Sequence, residues 1–67
     1  MNLRELICQA TDELKAVRGQ FYQHQASYDE MKAAAVKVLE LRQQAERTRG
    51  AVRTKVNAQT IASLLRG

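Results

Sequence analysis

An all-α fold is what this sequence predicts: an antiparallel hairpin of two helices, about 3–24 and 28–48, then a short helix over about 58–66. Three observations point there. Proline is absent and glycine occurs only at 19, 50 and 67, so little interrupts a helix. Ten of the 67 residues are alanine, the strongest helix former. Apolar residues recur at spacings of three and four, which places them on one face of a helix that turns every 3.6 residues.

The first helix carries the clearest pattern. Leu3, Ile7, Ala10, Leu14, Val17 and Phe21 follow one another in alternating steps of four and three, the seam of a coiled coil. Asn2 is placed to cap its start, with Glu5 at the third helical position, as in a capping box. Met1 and Leu6 are spaced to close a hydrophobic staple over that cap.

The same phase runs on through His24, Tyr28, Met31, Ala35 and Val38, so one unbroken helix from 3 to 48 is the alternative. Three features favour a break. Gly19 costs about 1 kcal/mol relative to Ala inside a helix and suits a C-terminal cap. Ser27-Tyr28-Asp29-Glu30 reads as the capping box of a new helix. The natural stripe then becomes Met31, Ala34, Val38, Leu41 and Ala45, whereas one straight seam would put Arg42 and Arg49 in the core. Gly50 ends this second helix, with Arg47 and Arg49 near its negative end. Val52, Thr54 and Val56 alternate with Arg53 and Lys55, a pattern that fits either a short extended segment or more helix. Asn57 is a good N-cap for the last helix, and Gly67 a stop. The chain is thus expected to be one small domain over 1–67, with a hairpin over 1–49 and a basic connector and helix over 50–67.

Size sets the next expectation. A domain of roughly 60 residues buries only about 60% of the surface that its unfolded chain exposes. Cys8 is the only cysteine and His24 the only histidine, so neither an internal disulfide nor a zinc set is expected, and no metal or other cofactor. Association is the expected source of further stability. Two copies would bury Leu3, Ile7, Ala10, Leu14 and Val17 together with Met31, Ala34, Val38 and Leu41 in a four-helix bundle, or the same stripes would dock on a larger protein.

Charge is uneven. Residues 1–33 hold four basic and five acidic side chains, net −1, and residues 34–67 hold seven basic and two acidic, net +5. Arg42, Arg47, Arg49, Arg53 and Lys55 are the candidate contacts for an anion or nucleic acid. No aromatic residue interleaves with them and no glycine-rich phosphate loop is present, so solvated charge, complementation of the helix end and an acidic protein surface together outweigh nucleic acid. The longest apolar run is Ala33–Val36, far short of the ~20 residues a membrane-crossing helix needs. With one thiol and no export-signal pattern, a cytoplasmic setting is expected.

The stretch FYQHQASY holds every aromatic residue and the histidine. At the hairpin tip, Phe21, Tyr22, His24 and Tyr28 are candidate partner contacts, because binding hot spots favour aromatic side chains. A catalytic histidine needs a nucleophile or an orienting carboxylate, and a nucleophilic cysteine needs a nearby base. The sequence places neither beside His24 or Cys8, so no catalytic residue and no small-molecule substrate are expected.

Gln59–Gly67, QTIASLLRG, resembles the first helix of helix-turn-helix DNA-binding domains. That family follows it with a recognition helix for the major groove, and this sequence ends at Gly67 before one. The expected role of Ile61, Leu64 and Leu65 is therefore an apolar strip for docking on a partner. In plan the chain is also similar to small two-helix regulators that dimerise into four-helix bundles. The leading expectation is a non-catalytic adaptor, inhibitor or co-chaperone of phage or mobile-element origin, binding a larger protein, itself, or both. A dimeric nucleic-acid-binding regulator comes second, and a structural subunit of a phage particle or secretion apparatus third.

Overall fold

The computed structural model describes residues 2–66. Among these residues are three helices: α1 (Leu3–Tyr22), α2 (Tyr28–Arg49) and α3 (Ala58–Leu65). α1 and α2 form the antiparallel hairpin, and α3 packs mainly on α2. None of these helices is long and apolar enough to cross a membrane.

Local chemistry fixes the helix starts. The Glu5 amide donates to Asn2 Oδ1 at 2.9 Å. The capping box at Ser27 is complete: the Glu30 amide donates to Ser27 Oγ, and the Ser27 amide to a Glu30 carboxylate oxygen, both at 3.2 Å. The Thr60 amide donates to Asn57 Oδ1 at 2.8 Å. The staple involving Met1 and the stop at Gly67 lie outside the described residues. α3 ends at Leu65 with Arg66 as its cap, one residue short of the expected helix.

Both hairpin helices end in the same motif, with different residues at the left-handed position. After α2, the Gly50 amide donates to Arg47 O and the Ala51 amide to Glu46 O, with Gly50 at φ +93°. After α1, the His24 amide donates to Phe21 O and the Gln25 amide to Gln20 O, with His24 at φ +62°. Each is a Schellman ending. Gly19, expected to cap α1, instead lies inside it. Continuing the helix lets Phe21 pack on the core. Burying much of a phenylalanine is worth about 1.5–3 kcal/mol, more than the roughly 1 kcal/mol that an internal glycine costs. The turn at 23–27 rules out one helix from 3 to 48.

The two glycines therefore respond oppositely to alanine. Nothing lies within 4 Å of a Cβ at Gly19, so Gly19→Ala stabilises by about 0.5–1 kcal/mol. Gly50→Ala destabilises by about 1–2 kcal/mol, because its backbone is left-handed. Thermal unfolding midpoints of the two variants should move in opposite directions.

Among the described residues eight form the core: Ala10, Leu14, Met31, Ala35, Val38, Leu39, Ile61 and Leu65. The expected seam is only partly buried. Ala10, Leu14, Met31 and Val38 are enclosed, while Leu3, Ile7, Val17, Ala34 and Leu41 are half-buried. Ala35 and Leu39, outside the expected stripe, are fully enclosed. α2 packs against two helices, so its buried arc is wider than a two-helix seam requires. Small side chains at Ala10 and Ala35 permit close approach of the helices.

Candidate functional site

The hairpin has two distinct ends. At the tip, Phe21 meets Tyr22 and Tyr28 edge-on, with ring centroids 5.7 and 6.1 Å apart. Phe21 faces the core, whereas Tyr22 and Tyr28 are 64% and 51% exposed. His24 is exposed at the turn. The tip also anchors α3: Tyr22 Oη donates to Leu65 O at 3.4 Å and Arg18 Nη1 to Leu64 O at 3.3 Å. These bonds satisfy carbonyls that the end of a helix leaves open.

That anchoring changes the reading of the last helix. Ile61 and Leu65 are buried in the chain's own core, and Leu64 packs against it. The strip expected to meet a partner covers the hairpin instead. Of the expected tip contacts, Tyr22, His24 and Tyr28 remain accessible.

At the opposite, open end, residues 51–56 form neither helix nor strand. They are tied to α2 by side chains. The Glu46 carboxylate accepts from the amides of Arg53 and Thr54 at 3.2 and 2.7 Å, and from Thr54 Oγ1 at 2.9 Å. Gln43 Nε2 donates to Thr54 O at 2.9 Å. The hydroxyl and amide of Thr54 hold the Glu46 carboxyl below its ordinary value of 4.5, helped by the Arg53 amide and charge. Thr54 thus turns inward, while Val52 and Val56 stay exposed.

Arg42, Arg47, Arg49, Arg53 and Lys55 are all exposed around this end. Among the described residues the one ion pair is Lys37 with Glu13, at 3.3 Å across α1 and α2, so none of the five has an ionic partner. Three of them converge. Arg42 from α2 and Arg53 and Lys55 from the connector line a cleft of about 360 Å³ with Thr60 and Ser63 of α3, over a floor that includes Leu39. Arg49 lines a neighbouring groove with Leu3, Ile7 and Ala45. On another part of the hairpin, Leu6, Ala10 and Leu41 floor a groove edged by Asp12, Glu13 and Lys37.

Aromatic and basic groups do not converge. Tyr28 and Arg49 sit at opposite ends of α2, about 30 Å apart at 1.5 Å per residue. Sequence reasoning found the cations but missed Gln43, Glu46, Thr54, Thr60 and Ser63. One signal was present: Glu46 is the only acidic residue after Glu40. Cys8 is exposed, and no three His, Cys, Asp or Glu side chains among the described residues group as metal ligands.

Comparison with known protein families, curated proteins and solved structures finds no match to this chain.

Proposed function

We propose that the chain is a non-catalytic protein-binding module whose first partner is a second copy of itself. The observation that carries this reading is the incomplete cover of the hairpin. Leu3, Leu6, Ile7, Leu41 and Ala45 are only half-buried. All lie where the first half of α1 meets the second half of α2. α3 is eight residues long and closes a different part of the hairpin.

The groove over Leu6, Ala10 and Leu41 carries both signs of charge, with Asp12 and Glu13 from α1 and Lys37 from α2. A two-fold axis sets a surface against its own copy. The apolar strip can meet its own copy across such an axis, and the Lys37–Glu13 pair at its edge keeps like charges there partly neutralised. The resulting bundle would leave the aromatic tips and basic ends free for a larger partner, as in an adaptor or inhibitor.

Light scattering coupled to size exclusion tests this. The expected species has twice the 7.6 kDa chain mass and dissociates on dilution. Leu6→Glu, at a half-buried helical position outside the core cluster, should return the protein to a monomer with unchanged helix content. A wild-type chain that stays monomeric at high concentration, or a Leu6→Glu chain that still dimerises, overturns the reading.

A second reading, a regulator that binds nucleic acid, is favoured by the five cations without ionic partners at one end. The distant aromatics give such binding no base-stacking surface there.

A further inference from the structure

We infer that the cleft between α2, the connector and α3 is a binding site for a phosphate-class anion. The site does not need the chain to pair with itself: its lining shares no residue with the groove over Leu6, Ala10 and Leu41, and only Arg42 and Thr54 also border Ile7 and Ala45. Three cations, Arg42, Arg53 and Lys55, line one cleft, and no carboxylate lines it with them. Glu46, bound to the Arg53 and Thr54 amides, offsets part of that charge from outside the cleft, but the three cations outnumber it, and an anion seated among them relieves their repulsion.

The cleft also offers hydroxyl donors. Ser63 and Thr60 face it from α3. Thr60 Oγ1 is engaged with Asn57 Oδ1 at 3.0 Å, which leaves Ser63 as the hydroxyl for a ligand. Guanidinium groups match phosphate oxygens in paired hydrogen bonds, and a lysine adds a point charge.

The backbone that carries two of these cations is already fixed. Glu46 holds the amides of Arg53 and Thr54, and Gln43 holds the Thr54 carbonyl. Arg53 and Lys55 are therefore presented on a tethered segment, which lowers the ordering cost of binding. The volume, about 360 Å³, lies at the small end of ligand sites. Leu39 and Leu64 give the floor an apolar part. The ligand chemistry that fits is a phosphoryl group on a small organic carrier, or the phosphate of a nucleic-acid backbone.

Amide NMR titration with inorganic pyrophosphate at constant ionic strength tests the site. Saturable shifts should centre on Arg53–Lys55 and Thr60–Ser63. Arg53→Ala and Arg42→Ala should each weaken binding about tenfold or more, as expected for loss of a charge-assisted hydrogen bond. Arg47→Ala removes an equal charge outside the cleft and should change it little. A short single-stranded oligonucleotide then separates the two sources. If it displaces pyrophosphate from these amides, the phosphate of a polynucleotide is the ligand; if it does not, a small phosphorylated molecule is. Equal losses for Arg47→Ala and Arg53→Ala, or shifts that never saturate, would mean general charge screening and overturn the proposal.

Discussion

Leu39→Ala is expected to abolish cooperative unfolding or to lower its midpoint more than any surface change. Leu39 is 1% exposed and, with Val38, is among the largest side chains fully enclosed. It lies between the hairpin and α3, where it also floors the basic cleft beside Leu64. Truncating a buried leucine costs about 2–5 kcal/mol, part of it from the cavity left behind. At the usual 0.05–0.15 kcal/mol per residue, a chain of this size has roughly 3–10 kcal/mol in total. One residue therefore accounts for a large share. Urea unfolding followed by circular dichroism checks this. A Leu39→Ala chain as stable as the wild type would show that α3 does not seal the core. That result would also remove the floor from the cleft.

Glu46→Ala has the second large effect, confined to the connector and α3. The variant loses the acceptor for the Arg53 and Thr54 amides and for the Thr54 hydroxyl. Those amides should lose protection from hydrogen exchange, while amides within α1 keep theirs. Anion capture gives a sharper contrast. Simple electrostatics predicts that removing a carboxylate near Arg53 tightens pyrophosphate binding. A tethered segment predicts the opposite, because untying residues 53–55 raises the ordering cost of the site. Weaker binding is the expected result, and tighter binding would show that the tether is irrelevant.

The pH dependence has a definite sign. The folded Glu46 carboxyl lies below its ordinary value of 4.5. Its stabilising contribution is therefore complete above about 4.5 and is lost as pH falls through the depressed folded value. Glu46→Gln should flatten that part of the acid limb, with the difference from wild type vanishing at the lowest pH.

Much of the fold was legible because its signals are local. Asn2, Ser27 and Asn57 cap the three helices through bonds that span three residues. Gly50 ends α2 as expected, since glycine takes the left-handed backbone of that position without a side-chain penalty. The end of α1 was harder to read. A glycine inside a helix and a glycine after one look alike in sequence. Only the packing of Phe21 decides that Gly19 stays helical and that His24 takes the left-handed turn.

The candidate site divides along the same line. That the C-terminal half is basic is written in its residues, because charge belongs to the side chain wherever it lies. The amphipathic character of the last helix is equally plain, since periodicity needs nothing beyond the chain. What Ile61 and Leu65 cover, which three of the five cations share a cleft, and how residues 51–56 are held depend on segments far apart in sequence. Glu46 reaches Thr54 across eight positions, and Tyr22 reaches Leu65 across 43. Capping and periodicity are short-range and so are fixed by neighbours in the chain. Contacts across loops depend on how the helices pack, and that only the tertiary structure decides.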